Sequence, residues 1–490
     1  MLFFTLKRSG KQQKYAYLAL MCLYFDNKPW RYIVKKQKKT SPKYSALRFW
    51  KLLSAVLYTW LFALCWEHFY VSEMVTPYQW KGNLAVALLY CLVSVLFIRV
   101  YRGYAVSIIS RSEIIYSQGL GLFLCNGVAY ILLILLCEKL VTPLPLLGLQ
   151  LVQMLAVFLW ARIACWMDAT FSQPENTVIV YRSKEDLAKV YAMYRFEQKY
   201  CVVDVIENPK RYYDATAKLD GIKTVFIVGV EATVRNGILK HCLDEDINAF
   251  VIPKVGDIIL RGAKMHISGD EAFLRVRRSS LPLEQTIIKR AIDILVSLLG
   301  LVILSPVMAV TAIAIKCNDG GPVLYKQKRL TKNGETFEIL KFRTMRVDAE
   351  KDGVARLAAE GDERITSVGR IVRRYRIDEL MQLVNVLRGE MSLVGPRPER
   401  PEIAAQYEKI MPAFSLRLQV KAGVTGYAQI YGKYNTEPYE KLQMDLVYIN
   451  NMSVFEDLKL LLATVKVLFM KESTEGVDAG QVTANAEKES

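Results

Sequence analysis

The sequence of 490 residues contains only three histidines, His68, His241 and His266, and none of its nine cysteines forms a Cys-x-x-Cys pair. A structural zinc site is therefore not expected, because such sites need Cys and His ligands at short spacings. No cleavable signal peptide is evident. The apolar run Tyr15–Phe25 is too short to span a bilayer, and no small-residue cleavage site follows it.

Acidic residues are nearly absent from the N-terminal part of the chain. Residues 1–51 contain 13 Lys or Arg and one acid, Asp26, so this segment carries +12 of the total charge of +17. A basic arm can bind nucleic acid or an anionic membrane surface. Because long apolar segments follow from about Arg48, membrane lipid rather than nucleic acid is the expected partner. Residues 1–48 are predicted to form a basic cytoplasmic arm with an interfacial helix at 15–25.

Four apolar segments are long enough to cross a bilayer. They are Phe49–Tyr70, Leu84–Tyr101, Gln118–Leu140 and Leu144–Trp166. The segments before and between them alternate between basic and neutral, which places the N-terminus and everything after Trp166 in the cytoplasm. Residues 49–167 are therefore predicted to form four transmembrane helices. Few ionisable residues lie within these spans, which disfavours a transporter.

The pattern after the fourth span predicts an α/β domain over residues 175–275. Buried strands are predicted at 177–181, 200–206, 224–230 and 249–255, with helices at 183–196 and 232–243. Such alternation is typical of a small parallel, Rossmann-like sheet. The first strand-to-helix turn, 181–185, contains no glycine, so a structural or regulatory role is favoured over dinucleotide binding.

A fifth apolar stretch, residues 284–316, has Ser305-Pro306 at its middle. Proline removes a helix hydrogen bond, and each half alone is too short to cross. We therefore predict a broken, re-entrant membrane helix that enters and leaves on the cytoplasmic face, with a kinked full span as the alternative. Lys289 and Arg290 are expected at the interface, contacting lipid phosphates or snorkelling, and Asp293 is expected to pair with Arg290.

Residues 317–470 contain a dense cluster of groups suited to phosphoryl transfer. Asp378 and Glu379 precede a helix-period apolar face that ends at Gly389, which predicts Asp378 as a cap at a helix N-terminus. One carboxylate can attack phosphorus, its neighbour can hold Mg²⁺ or Mn²⁺, and arginines can neutralise the developing charge. Each motif alone favours a structural interpretation, whereas their clustering favours chemistry.

From about Lys289 to Thr464 the sequence resembles the bacterial sugar transferases, the polyprenyl-phosphate glycosyl-1-phosphate transferases. The matching pieces are KRAID, SP, GPVLYKQKR, ILKFRTM, DELMQLVNVLRGEMSLVGPRPERPE, KAGVTGYAQIYG, Asp445, Tyr448 and Asp457-Leu458. The complete architecture resembles the large members. The expected fold is that of a membrane protein with an N-terminal four-helix transmembrane bundle, an α/β Rossmann-like cytosolic domain, and a re-entrant membrane helix followed by a mostly α (α+β) catalytic domain.

The resemblance implies that Asp378 is the nucleophile and that Glu379 helps to bind Mg²⁺. It also implies that Arg397 holds the nucleotide part of the donor and that Ser305-Pro306 breaks the re-entrant helix. Further candidates for donor binding are Lys341, Arg343 and Arg374. Two positions depart from the family pattern. Met381 stands where proline is usual, and Glu390 stands where aspartate is usual.

The expected function is transfer of a sugar 1-phosphate from a UDP-sugar to polyprenyl (undecaprenyl) phosphate. The reaction is expected at the cytoplasmic face of the bacterial inner membrane, where it would start assembly of an exopolysaccharide, capsule or O-antigen. The alternative is a non-catalytic membrane scaffold of glycan assembly. The sequence leaves open the sugar and a homodimer. The polar tail, residues 471–490, is predicted to be disordered.

Overall fold

The computed structural model describes residues 43–171, 174–193, 196–347, 349, 362, 364–432 and 436–468. Residues 1–42 of the predicted basic arm, with its interfacial helix, and the predicted disordered tail lie outside these residues. The chain forms two compact units, one up to Ile252 and one from Pro253. Five helices in the described part of the chain are long and apolar enough to cross a membrane.

Four of these helices open the first unit. They are α1 (Lys43–Phe69), α2 (Trp80–Val100), α3 (Arg111–Cys137) and α4 (Leu144–Phe171). Their outer surfaces expose large apolar side chains such as Leu92, Leu135 and Leu151. Apolar residues outside and polar residues inside are typical of helices that pack together in lipid. The four long apolar helices that the sequence predicts are therefore present.

The interior of these helices contains a hydrogen-bonded cluster, the bundle network, formed by Tyr90, Asn126, Gln150 and Gln153. Tyr90 Oη donates to Asn126 Oδ1 at 2.7 Å, and Gln153 Nε2 donates to Tyr90 Oη at 2.9 Å. Asn126 Nδ2 donates to Gln150 Oε1 and Gln153 Oε1 at 2.8 and 2.9 Å. Every member is neutral and bonded to another, so the network fixes how α2, α3 and α4 meet.

A small parallel sheet completes the first unit. Its strands are β1 (Glu175–Tyr181), β2 (Tyr200–Glu207), β3 (Thr224–Val228) and β4 (Asn248–Val251), in the order β2-β1-β3-β4. Helices cover both faces, namely α5 (Lys184–Tyr191), α6 (Phe196–Lys199), α7 (Tyr212–Thr216) and α8 (Ala232–Asp244). This agrees with the predicted α/β domain. The third strand ends two residues before its predicted end, because Gly229 has a φ of 71°.

The second unit begins earlier than the predicted catalytic part. Helix α9 (Val255–Arg261) lies in this unit, where Ile258 joins the main core and Asn450 Nδ2 donates to Ile258 O at 2.6 Å. The predicted fourth strand therefore stops at Val251, and α9 occupies the residues that follow. A hairpin of β5 (Lys264–Ser268) and β6 (Glu271–Arg275) comes next.

The fifth long helix is α10 (Leu283–Asp319), which has 37 residues and contains Pro306. The expected division into two helices at Ser305-Pro306 is not seen. Proline's fixed φ is compatible with helical geometry, so the missing N–H removes one hydrogen bond without ending the helix. The side chain of Ser305 donates to Val302 O at 2.7 Å. Whether α10 crosses the bilayer or returns to the same face stays a prediction.

The rest of the second unit packs around one large apolar core. It comprises β7 (Leu324–Leu330), β8 (Thr336–Phe342), α11 (Ser367–Arg374), α12 (Gln382–Arg388), β9 (Ser392–Val394), α13 (Pro401–Ile410), β10 (Gly423–Thr425), α14 (Tyr427–Tyr431), α15 (Pro438–Asn451) and α16 (Val454–Leu468). Strands β7 and β8 form an antiparallel hairpin, and β9 pairs with β10 in parallel. These short elements carry the candidate site residues.

Candidate active site

Asp378 and Glu379 lie in a short 3₁₀ turn, Ile377–Glu379, between α11 and α12. Arg376, just before the turn, has a left-handed backbone with φ of 53°, and this conformation reverses the chain after α11. The N-cap of α12 is Met381, so the prediction of Asp378 as the helix cap is wrong. The 3₁₀ turn, closed by Leu380 N donating to Ile377 O, separates Asp378 from the helix. Gly389 ends α12 in the left-handed conformation, as predicted.

Three cationic side chains surround the Glu379 carboxylate. Lys341 Nζ lies 3.2 Å from Oε1, and Arg397 NH2 donates to the same oxygen at 2.8 Å. Arg376 NH1 lies 3.6 Å from Oε2. Lys341 comes from β8, Arg376 follows α11, and Arg397 follows β9. The structure therefore brings together four predicted site residues, Asp378, Glu379, Lys341 and Arg397, from three separate elements.

The two adjacent carboxyl groups differ in their electrostatic environment. Burial and the negative charge of Glu379 raise the pKa of Asp378 to about 6, although Lys341 and Arg373 oppose the shift. Burial disfavours ionisation of Glu379 as well, but Arg397 and Lys341 outweigh it and hold the pKa of Glu379 well below its usual range. Glu379 is therefore a permanent anion, whereas Asp378 titrates close to neutral pH.

Asp378, although largely buried, is the open group of the pair in the sense that its carboxylate is free to accept hydrogen bonds. Its carboxylate makes no hydrogen bond to the residues that the structure describes, whereas Glu379 accepts two. Arg373 stands near it as a favourable charge, and one of its guanidinium nitrogens, NH1, is buried without a partner among those residues. An open carboxylate beside a cation with an unused donor is suited to meet a phosphoryl group.

Two predicted donor-binding residues lie elsewhere. The buried Arg343 pairs with Asp319 at the end of α10, and no described contact links it to the acidic pair. Arg374 is exposed on α11, where its guanidinium lies 5.9 Å from the Tyr375 ring. Arg373 and Arg376 belong to the arginine series that the sequence shows before Asp378, but they were not among the residues predicted to bind the donor.

The loop that carries Arg397 is fixed by its backbone. A β-carbon on Gly395 would stand 2.4 Å from Lys421 O, and one on Gly423 would stand 2.1 Å from Gly395 N. Only glycine allows the two segments to approach so closely. Arg417 NH2 donates to the carbonyl of Arg397 at 2.8 Å and lies 2.7 Å from the buried Asp445. The Gly395–Pro398 loop is therefore held on two sides.

The charged side chains of Lys289, Arg290 and Asp293 bond to other parts of the second unit. Lys289 forms an ion pair with Asp457, and Arg290 donates to two carbonyl groups of α12. Asp293 accepts from β9 rather than from Arg290. The expected pairing of Asp293 with Arg290 is therefore not seen. The position of the three residues relative to lipid stays a prediction. These contacts are long-range in sequence and leave no local pattern that could predict them.

The acidic pair is compatible with a divalent cation. Among the described residues, no group of three or more His, Cys, Asp and Glu is arranged to hold a metal ion. Mg²⁺, however, is commonly bound by one or two carboxylates together with substrate phosphates. Asp378 and Glu379 supply the hard oxygen donors that it requires, and Oε2 of Glu379 accepts no hydrogen bond among the described residues. The residues present therefore fit the ion once a phosphate ligand is bound.

Residues 284–471 match the model of a protein family that is described as bacterial sugar transferase. The chain is 39% identical over 184 residues to the UDP-N-acetylgalactosamine-undecaprenyl-phosphate N-acetylgalactosaminephosphotransferase of Aeromonas hydrophila, covering 37% of this chain and 43%, less than half, of that protein. It is 40% identical over 190 residues to the UDP-glucose:undecaprenyl-phosphate glucose-1-phosphate transferase of Caulobacter vibrioides, covering 38% and 71%. It is 39% identical over 188 residues to the exopolysaccharide production protein PSS of Rhizobium leguminosarum, covering 36% and 94%.

Proposed function

Because the chain belongs to the bacterial sugar transferase family, we propose that it transfers a sugar 1-phosphate from a UDP-sugar to polyprenyl phosphate. The observation that carries this proposal is the open carboxylate of Asp378 beside Glu379, which is surrounded by Lys341, Arg376 and Arg397. A diphosphate donor is attracted by such a cluster of cations, and the open carboxylate can act as its nucleophile. Undecaprenyl phosphate stands in the names of two of the relatives.

In the first step, a carboxylate oxygen of Asp378 attacks the phosphorus that carries the sugar. A bond from Asp378 to that phosphorus forms, and the bond from the phosphorus to the bridging oxygen breaks. UMP leaves with the bridging oxygen and its electron pair. Arg397 and Lys341, which Glu379 holds in place, neutralise the charge that develops on the phosphate oxygens.

In the second step, a phosphate oxygen of the polyprenyl phosphate attacks the same phosphorus. The bond to Asp378 breaks, and a polyprenyl diphosphate sugar is released. Asp378 is restored as a carboxylate, so no other acid or base is needed for the balance. Glu379 would hold Mg²⁺ or Mn²⁺, which would neutralise negative charge on the diphosphate when bound.

The contacts of α10 support a catalytic site on one face of the membrane. Near its beginning, Asp293 bonds to β9, and at its end Asp319 pairs with Arg343. A helix that crossed the bilayer would place its ends about 30 Å apart on opposite sides. One water-exposed domain could not contact both ends of such a helix. This argues against a full crossing by the continuous helix α10 and supports a site at the cytoplasmic face, where UDP-sugars occur.

The experiment that tests this proposal is a single-turnover assay of the purified chain with donor and Mg²⁺ but without lipid acceptor. We expect a burst of about one UMP per active site, as a covalent intermediate requires. Asp378→Asn should remove the burst, whereas Asp220→Asn, an exposed aspartate of the first unit, should retain it. A full burst from Asp378→Asn would assign the nucleophile to another group.

The sugar is identified by a donor panel. Membranes containing the chain are incubated with radiolabelled UDP-glucose, UDP-galactose and their N-acetylated forms, and the lipid product is extracted. The scaffold alternative predicts that cells carrying Asp378→Ala retain their surface glycan. Met381 is the main sequence feature behind that alternative, and it packs with Ile315, Phe342 and Val372 without disturbing the contacts of Glu379. The catalytic function is therefore the better supported of the two.

A further inference from the structure

Three charged residues near the start of α10 contact the two segments that carry the site. Arg290 donates from NH1 to Val386 O at 2.7 Å and from NH2 to Leu387 O at 2.9 Å. These carbonyls belong to the last turn of α12, where helical hydrogen bonds run out. A guanidinium placed there donates one more hydrogen bond to each of these two carbonyls and interacts favourably with the helix dipole. Helix α12 follows directly after the Asp378–Glu379 turn.

Asp293 holds the next segment. Its Oδ2 accepts from Ser392 Oγ at 2.8 Å, and its Oδ1 accepts from Leu393 N at 3.0 Å. The side chain is only 5% exposed, so its charge is stabilised by these two bonds rather than by water. Both partners lie in β9, and Arg397 follows that strand three residues after Val394.

Lys289 holds the third residue of the same strand. Its Nζ donates to Val394 O at 3.1 Å, and Tyr448 Oη donates to the same oxygen at 3.1 Å. Asp457 pairs with Lys289 and accepts from Tyr448 Oη at 2.8 Å, so the lysine charge is balanced inside the protein. Each of the three residues of β9 is therefore bonded to α10.

We propose that Lys289, Arg290 and Asp293 are positioning residues, which fix the Asp378–Glu379 turn and the Arg397 loop to the membrane helix. This inference rests on the proposed function of the site. Without these bonds, α12 and β9 are still tethered by the core, but the atoms of Arg397 and Asp378 are no longer set relative to each other within the tolerance that phosphoryl transfer requires. A misplacement of about 1 Å can lower a rate by about 100-fold.

The burst assay separates positioning from a purely structural role. Misfolding lowers the burst amplitude, because fewer sites are competent, whereas mispositioning lowers the burst rate of the sites that remain. We expect Asp293→Ala and Arg290→Met each to lower the burst rate at least ~10-fold at an amplitude close to that of the unsubstituted chain. Arg290→Lys should recover part of the rate, since lysine still donates to one carbonyl. Loss of amplitude at an unchanged rate would overturn the proposal.

A double-mutant cycle tests the route of the effect. If Asp293 acts through Arg397, the Asp293→Ala change should have little further effect on the burst rate once Arg397→Gln is present. Independent, multiplying effects would contradict the proposal. Lys316→Gln is the matched control, because Lys316 is a cation of the same helix whose amine bonds only Gly320 O within the described residues. Its burst rate should stay within about 2-fold of the unsubstituted value.

A second measurement does not depend on activity. Hydrogen exchange of the full chain in lipid nanodiscs should become faster in peptides covering 390–400 for Asp293→Ala and 382–390 for Arg290→Met. Peptides covering 224–228 of the first unit should not change. If the unsubstituted chain gives no UMP with any donor, the proposed function fails, and the exchange result still decides whether these residues hold the two segments. Unchanged exchange in both variants would reject the proposal that these residues hold the two segments.

Discussion

Two clusters of polar side chains in this protein have opposite designs. The bundle network of Tyr90, Asn126, Gln150 and Gln153 is neutral, and its members bond to one another. The cluster around Glu379 is charged, and beside it Asp378 has no hydrogen bond to the described residues. A closed neutral network specifies how helices pack, whereas a charged cluster with an open group can bind and react. The difference assigns structure to the first cluster and chemistry to the second.

The largest of these effects is expected from a substitution at the centre of the charged cluster. Glu379→Gln removes the anion that holds Lys341 and Arg397, and we expect kcat/KM to fall by about 100-fold. Loss of the neighbouring negative charge should also lower the pKa of Asp378. The acidic limb of the pH profile should therefore move to lower pH. A limb that stays in place would show that Glu379 does not influence the nucleophile.

The pH dependence of the unsubstituted chain gives the next effect. Asp378 must be ionised to attack, and its pKa is about 6, so activity should be full above pH 7 and fall as the pH drops through 6. At pH 5, one pH unit below that value, kcat/KM should be about 10-fold below its plateau. Initial rates in constant-ionic-strength buffers measure this. A plateau extending down to pH 4.5 would rule out the raised pKa.

Two neighbouring arginines of the second unit are expected to differ in their effect on activity. The charge of Arg373 lowers the pKa of Asp378, whereas Arg374 is exposed beside Tyr375. We expect Arg373→Gln to lower kcat/KM by about 10-fold, because a favourable charge and an unused donor next to the nucleophile are lost. Arg374→Gln should change it by no more than about 2-fold. The reverse order would restore the sequence-based assignment of Arg374 to donor binding.

The smallest effect on activity is expected from the bundle network. Asn126→Leu leaves Gln150 and Gln153 without a donor, which should destabilise the helices by about 1 kcal/mol. Thermal unfolding in detergent measures this loss, and Leu135→Ala on the outer surface is the matched control. The kcat/KM of the folded variant should stay within about 2-fold of the original. A loss of kcat/KM comparable to that of Glu379→Gln would contradict the assignment of a purely structural role to the bundle network.

Much of the architecture could be predicted from local patterns. Apolar runs of about 20 residues indicate the long helices, and alternating apolar segments indicate the parallel sheet. The acidic pair, Lys341 and Arg397 lie in motifs whose resemblance to a known family is sufficient to group them in one site. The partners of individual side chains could not be predicted in this way. Arg343 and Arg374 belong to the same motifs, yet one pairs with Asp319 and the other faces outward.

Charged residues at the start of α10 show why local patterns were insufficient. Lys289, Arg290 and Asp293 stand at the edge of an apolar segment, where snorkelling to lipid is the usual expectation. Their partners Asp457, Val386 and Ser392 lie roughly 100 or more residues further along the chain. The backbone of Arg376 was equally hidden, since a left-handed arginine is decided by the packing around the turn.

The crossing of Gly395 and Gly423 has a consequence for diversification of the family's donors. No side chain can be added where the two backbones touch, so new sugar preferences cannot arise by substitution at the crossing itself. Variation in this part of the site is confined to the residues that surround the crossing. Residues 395–398 and 421–426 should therefore be exchanged together when these segments are transferred between relatives. If only one segment were exchanged, its backbone would have to pack against a segment from a different protein at a contact that leaves no space for adjustment.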